Sequence, residues 1–218
     1  MSATSYDFWL LDLDGTLIDV ERGYLHEVMR EVGDRVGYGF SEAEAEAIWY
    51  GLGGTRSEFL AALGLDPTSF WTVFHEVEDP IARAEHSYLY DDAAFVGELA
   101  RPTGLVTHSQ QWLTDAALSH LGIADWFDAV VCCTDELGWK PDPAPVRTAM
   151  AGLGVDAADG QRGVLVGDGP QDVGAAWNAG LDGIHVERHG HDRRGLCVLG
   201  DRRVTRLDEL IDEPPASD

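Results

Sequence analysis

Four short stretches of this 218-residue chain gather side chains that could handle a charged ligand: Asp12-Leu13-Asp14-Gly15-Thr16, Thr107-His108-Ser109, Lys140-Pro141-Asp142-Pro143 and Gly167-Asp168-Gly169-Pro170-Gln171-Asp172. Brought together, the carboxylates of Asp12, Asp14, Asp168 and Asp172 would repel one another unless a cation bound them, and an all-oxygen ligand set selects Mg2+ over zinc. A Mg2+ held by two carboxylates keeps waters in its octahedron and leaves room for a phosphate oxygen. Asp12 could then attack phosphorus and form an aspartyl-phosphate. Asp14, two positions on, shares the same side of an extended chain. It could protonate a leaving alkoxide and later take a proton from water. Lys140 would neutralise charge on the phosphoryl group, and the Thr107 hydroxyl would hydrogen-bond it. Acids at strand ends also serve as turn residues and helix caps, and Asp172 would suit the first turn of a helix in any case. The lysine is more telling: of 15 basic residues 14 are arginine, and Lys140 is the one lysine. A compact ammonium on a slim stem suits a crowded phosphate site better than a guanidinium does.

The elements that must position these residues can be read from the apolar pattern. Residues 7–13 (DFWLLDL) form a short apolar run that ends in acids and then Gly15, as a buried strand would. Runs at 104–107, 129–133 and 163–166, and a weaker one at 183–186, resemble it. From residue 104 onward helical patterns lie between the runs, over Gln110–Leu121, Pro143–Leu153 and Gln171–Ala179, stopping at Gly122, Gly154 and Gly180. Strands alternating with helices predict an α/β fold with a parallel sheet covered on both faces. Such sheets bind ligands beyond the carboxyl ends of their strands, where the four stretches fall. The interval from about residue 19 to 90 breaks the alternation and reads as helical throughout, with helices predicted at Glu21–Val36, Ser41–Tyr50, Thr55–Leu63 and Asp66–His86. Ser41 and Glu44 suit a capping box, Asp66-Pro67 suits an N-cap followed by a first-turn proline, and Pro80 should break or bend the last helix. The expected organisation is a core of residues 1–18 and 90–218 with a helical lid of residues 19–89. The tail EPPASD should fray.

A formal charge of −24, from 39 acids against 15 bases, repels nucleic acid and anionic membranes. It also resists compaction unless salt screens it, and the Debye length falls from about 10 Å at 0.1 M to about 3 Å at 1 M. The composition points to a salt-rich cytoplasm and a small-molecule partner. The N-terminal segment lacks a basic stretch followed by an apolar core, and no apolar run approaches membrane-spanning length. Cys132 and Cys133 are adjacent and Cys197 stands apart, which favours reduced thiols. A monomer and a homodimer are both compatible with the sequence.

DLDGT at 12–16, the strand-end Thr107, KPDP at 140–143 and GDGPQD at 167–172 resemble, in order and spacing, the four motifs of the haloacid dehalogenase-like superfamily. The resemblance implies a Rossmann-like three-layer sheet. The insertion after the first strand resembles the helical cap of the phosphoglycolate phosphatase and phosphoglucomutase-like branch. By that resemblance Asp12 is nucleophile and Mg2+ ligand, and Asp14 is acid/base and gives the metal a backbone carbonyl. Thr107 and Lys140 bind phosphate, Asp168 completes the metal site, and Asp172 acts through water or as a partner of Lys140. The chain departs from the family pattern at Gly169, where serine is usual, and at His108, where related phosphatases often carry asparagine and where the residue either contacts substrate or simply sits in the loop. In Gly53-Gly54-Thr55-Arg56 the arginine resembles a cap residue that reaches substrate.

Asp14 argues against dehalogenases, which release no alkoxide. The lysine-free cap argues against phosphonate hydrolases, which form a Schiff base there, and weakens a sugar phosphomutase. The expected activity is hydrolysis of a small phosphate ester, with phosphoglycolate as the leading substrate. The alternatives are a mutase of the same branch and a non-catalytic, receiver-like phospho-ligand protein. The aromatic group Trp49, Tyr50, Phe59, Phe70, Trp71 and Phe74 reads as cap core, and His185, His189 and His191 read as a surface loop.

Overall fold

Alternation along the central strand decides the layering. In β1 (Phe8–Leu11), Phe8 and Leu10 join one core cluster with Val106, Val146, Leu165 and Ala176. Trp9 and Leu11 join another with Leu105, Leu118, Val164 and Ile184. Successive side chains of a strand leave on opposite faces, so β1 is buried on both, as a parallel sheet covered by helices requires. The computed structural model describes residues 6–156, 160–195 and 197–211, so the C-terminal tail lies outside the described residues.

Six strands form the main sheet in the order β5-β4-β1-β6-β7-β8, where β4 is Thr103–Thr107, β5 Ala129–Cys132, β6 Gly163–Gly167, β7 Asp182–Val186 and β8 Arg202–Val204. Every pairing is parallel. Helix α6 (Gln111–Leu121) contributes Ala117 and Leu118 to the Trp9 face. Helices α7 (Ala144–Leu153) and α8 (Pro170–Ala179) contribute Val146, Ala149, Ala175 and Ala176 to the Phe8 face. The result is the three-layer, Rossmann-like α/β fold expected. Because Leu11 pairs with both Leu105 and Val166, the strand ends of β1, β4 and β6 lie side by side, and the residues after them share one edge.

The chain divides into two units. One comprises Met1–Asp19, Leu89–Arg188 and Val198–Asp218, and the other Val20–Tyr88 with His189–Cys197. The second is helical, with α1 (Arg22–Val36), α2 (Glu42–Tyr50), α3 (Arg56–Ala62), α4 (Pro67–Val77) and α5 (Pro80–Glu85), and the short α9 (His191–Arg194). Its caps follow the sequence: the Ser41 hydroxyl accepts the Glu44 N–H while Glu44 accepts the Ser41 N–H, and Asp66 accepts the N–H of Ser69. Pro80 does break the long helical pattern, since it cannot donate into the preceding turn and starts α5 afresh behind an Asp79 cap. Leu25, Met29, Ile48, Leu60, Phe70 and Phe74 form the core, with Trp49, Tyr50, Phe59 and Trp71 packed against it.

The structure departs from the sequence reading at three places. The interval read as wholly helical contains β2 (Ile18–Val20) and β3 (Ser87–Leu89), a two-stranded ribbon. Strand β8 was also unanticipated. The residues His189–Cys197, read as part of the sheet domain, instead belong to the helical unit. There His189 packs on the Tyr50 ring at 4.3 Å, and the Gly53 N–H donates to the Arg194 carbonyl at 2.9 Å. His189 is buried there, and His185 is buried within β7, so neither is set in a surface loop. Among the described residues no helix is long and apolar enough to cross a membrane.

Candidate functional site

The edge beyond β1, β4 and β6 is built around Asp12. Its N–H donates to the Val166 carbonyl at 2.9 Å, which extends the sheet register by one residue and sends the carboxylate out past the strand. The chain then turns sharply: the N–H groups of Thr16, Leu17 and Ile18 all reach the Leu13 carbonyl, and Gly15 takes φ 74°. Glycine is required there twice, for the left-handed backbone and because a Cβ would lie 2.9 Å from the Asp168 carboxyl carbon. The turn delivers Thr16, fully buried, whose hydroxyl donates to Asp12 Oδ2 at 3.2 Å and accepts the Asp168 N–H at 3.0 Å. Thr16 thereby ties the ends of β1 and β6 together.

Asp168 and Asp172 flank the start of α8. Asp172 is wholly buried, and its Oδ2 accepts the Gly169 N–H at 2.9 Å, which caps the helix. It fits because residue 167 is glycine: a Cβ there would stand 2.3 Å from the Asp172 carboxyl carbon. Its other oxygen lies 2.6 Å from Lys140 Nζ. That ammonium, 1% exposed, also donates to Asp12 Oδ1 at 2.7 Å and to the Val106 carbonyl at 2.8 Å. The one lysine of the chain thus sits between two of the strand-end acids.

Burial pushes Asp12 up to about 8, against the pull of Lys140 and with the added repulsion of Asp172 and Asp168. Burial alone would lower Lys140, but Asp12 and Asp172 outweigh it and hold the ammonium charged, above its ordinary range. Three carboxylates therefore face one cation. Asp12, Asp168 and Asp172 each present an oxygen within 4.8 Å of the others, and all are buried. An all-oxygen set with surplus negative charge fits a hard divalent cation. This grouping contains none of the histidines near the last strands.

The remaining expected residues are placed as follows. Thr107 is buried at the end of β4, with its hydroxyl accepting the Ser109 N–H at 3.0 Å. Asp14 is half-buried in the turn, bridged through its backbone to Ile18. The His108 ring meets Trp139 edge-on at 5.4 Å, and the Trp139 indole N–H donates to Asp135 at 2.9 Å. Arg56 belongs to the helical unit, where Nε donates to the Ile48 carbonyl and an Nη to the Trp49 carbonyl, each at 2.8 Å. It closes the carboxyl end of α2, whose last carbonyls lack helical partners. Two participants escaped the sequence reading. Thr16 was visible in DLDGT but gave no sign of bridging two acids. The Val106 carbonyl is main chain and leaves no signal at all.

A family model for haloacid dehalogenase-like hydrolases matches residues 7–180. A phosphoglycolate phosphatase from Rhodospirillum rubrum is 33% identical over 212 residues, covering 88% of this chain and 83% of that protein. The pyrophosphatase PpaX from Bacillus velezensis is 30% identical over 180 residues, 78% of each chain. Among solved structures, a Lactobacillus plantarum protein superposes with a TM-score of 0.77 at 22% identity over 97% of this chain and 99% of that one. A haloacid dehalogenase-like family hydrolase from Streptococcus pneumoniae gives 0.75 at 15% identity over 95% and 98%. The matched span runs from the first strand through α8 and so includes every strand-end acid of the site: the chain belongs to the haloacid dehalogenase-like hydrolase family.

Proposed function

We propose that the chain is a Mg2+-dependent phosphatase that hydrolyses a small phosphorylated metabolite through an aspartyl-phosphate at Asp12. The observation that carries this reading is the Lys140 ammonium wedged between Asp12 and Asp172 at the strand ends, with Asp168 completing the cluster. Asp12 and Asp168, with the Asp14 carbonyl, would hold the metal, and Asp172 would act through water or as the partner of Lys140. Mg2+ would supply charge neutralisation at the phosphoryl oxygens. Asp12 attacks phosphorus, and its O–P bond forms as the ester oxygen leaves. Asp14 gives that oxygen a proton and takes one back from the water that splits the acyl-phosphate. Lys140 and Thr107 bind the transferring group, and His108, with Trp139 against it, stands next to Thr107 as a contact for the leaving group.

The relatives' names make 2-phosphoglycolate and pyrophosphate the first substrates to try. Purified protein should release free phosphate from one of them and from p-nitrophenyl phosphate with Mg2+, and not with EDTA. No phosphate release from any phosphorylated metabolite at any salt concentration would sink the reading. Isomerised glucose 1-phosphate without free phosphate would replace it with the mutase.

Two smaller effects follow from the same reading. The charge of −24 supports a protein suited to a salt-rich cytoplasm over an ordinary acidic enzyme. Moving from 0.05 M to 2 M KCl should stabilise the fold by about 2 kcal/mol, or roughly 4–8 °C in Tm, by screening self-repulsion. A Tm that falls or stays flat in calorimetry rejects the assignment. Arg56→Met should cost about 1 kcal/mol of stability by releasing the carbonyls of Ile48 and Trp49. If Arg56 serves only the end of α2, KM for the preferred substrate stays within twofold. A tenfold rise in KM would give it the substrate contact its glycine-flanked position suggested.

A further inference from the structure

Arg188 follows β7 by two residues, and its side chain is 8% exposed. Its Nη atoms clamp Asp92 at 2.7 and 2.9 Å, and Asp92, fully buried at its side chain, also accepts the Leu207 N–H at 2.8 Å. The guanidinium carbon lies 3.8 Å from the Tyr90 ring centroid. Tyr90 is itself fastened to the turn after β1, its N–H donating to the Leu17 carbonyl at 2.9 Å and its hydroxyl to Asp19 at 2.8 Å. A planar fork held by a bidentate carboxylate and stacked on an aromatic ring is fixed in orientation as well as position. Its remaining reach is spent on the turn: Nη2 donates to the Thr16 carbonyl at 2.6 Å.

Thr16 is the residue whose hydroxyl stands between Asp12 and the Asp168 N–H. Arg188 holds Thr16 by its carbonyl, while the Thr16 hydroxyl meets the Asp12 carboxylate and the Asp168 N–H. A buried carbonyl needs a donor in any fold, but here the donor is the locked fork itself, which bears directly on the residue that touches both acids. We propose that Arg188, locked by Asp92 and Tyr90, is a positioning residue that sets the Asp12–Asp168 geometry through Thr16, and with it the metal affinity and turnover of the site. The inference rests on the phosphatase reading above.

The test compares wild type, Arg188→Lys, Thr16→Val and the double variant in two measurements: steady-state phosphate release from p-nitrophenyl phosphate, and the rise in Tm on titrating Mg2+. Lysine keeps the charge but loses the fork. Arg188→Lys should lower kcat about 10-fold with KM within twofold, and raise the Mg2+ concentration giving half the Tm rise about 10-fold. The double variant should lose no more than Thr16→Val alone, because both changes act through one hydroxyl. Should Arg188→Lys not fold, Arg188→Gln with Asp92→Asn removes both buried charges together and carries the same expectation. Wild-type kcat and Mg2+ response in a folded variant, or losses that add to those of Thr16→Val, overturn the proposal. If wild type releases no phosphate, the phosphatase reading fails, and the Mg2+ titration still decides the role of Arg188. A wild type neither active nor stabilised by Mg2+ removes both.

Discussion

Lys140→Met should lose both activity and stability. The ammonium is the shared counter-charge of Asp12 and Asp172, at 2.7 and 2.6 Å, and it also satisfies the Val106 carbonyl. Removing one partner of a buried ion pair costs about 3–5 kcal/mol, because the carboxylates remain in a site they cannot leave. For a domain of this size that corresponds to a fall of roughly 6–20 °C in Tm. Turnover should drop by about 10²–10³-fold, the usual cost of removing one donor aimed at developing charge. Lys140→Arg should not rescue it: a planar fork cannot converge on three acceptors arranged around a single nitrogen. Thermal denaturation and p-nitrophenyl phosphate hydrolysis check both halves. A Lys140→Met protein with wild-type Tm and wild-type turnover would remove Lys140 from the site.

Why that lysine was legible in the sequence, while other parts of the site were not, is a matter of how local each signal is. Asp12 and Asp14 announce themselves within five residues, since an apolar run ending in DLDGT states both the strand and its terminus. Lys140 is 128 residues away from Asp12, yet it could be singled out because a chain that uses arginine everywhere else retains one lysine. Caps such as Ser41 with Glu44 and Asp66 with Pro67 are equally local, and the helices begin where they indicate. Strands of three residues give no periodicity to count, so β2, β3 and β8 left no trace. Arg203 is an exposed residue in the middle of β8, which breaks any apolar run there. Arg188 and Asp92 lie 96 residues apart in a chain crowded with arginine and acid, and only the fold picks out which pair meets. The assignment of His189–Cys197 failed for the same reason: what places the segment is a ring contact to Tyr50 and a hydrogen bond to Gly53, both distant in sequence.

Asp12→Asn should separate chemistry from folding, with the two responses running in opposite directions. The amide keeps the shape of the carboxylate and an oxygen for Lys140 to reach, but its oxygen is no nucleophile toward phosphorus. Phosphate release should fall by at least about 10³-fold while the substrate still binds. Stability in EDTA should rise. Burial, Asp172 and Asp168 raise Asp12 to about 8 in the folded protein despite Lys140. An unfolded aspartate titrates near 3.9. Below about pH 4 the residue is protonated in both states, and the substitution changes little on this account. Above that, the unfolded chain ionises first, so wild type loses stability relative to Asp12→Asn as pH rises, and the gap stops growing above about 8. Tm measured in EDTA at pH 5 and pH 8 should therefore show the variant gaining on wild type at the higher pH. Adding Mg2+ should reverse the order, because only the wild type regains a metal ligand at residue 12. A variant that retains turnover would unseat Asp12 as nucleophile. One that loses turnover and also loses Tm equally at both pH values would show that Asp12 holds the site together rather than reacting in it. Lys140 and Asp12 touch at 2.7 Å, yet neutralising one should weaken the fold and neutralising the other should strengthen it. That asymmetry is expected of a site with more negative charge than its one ammonium can balance.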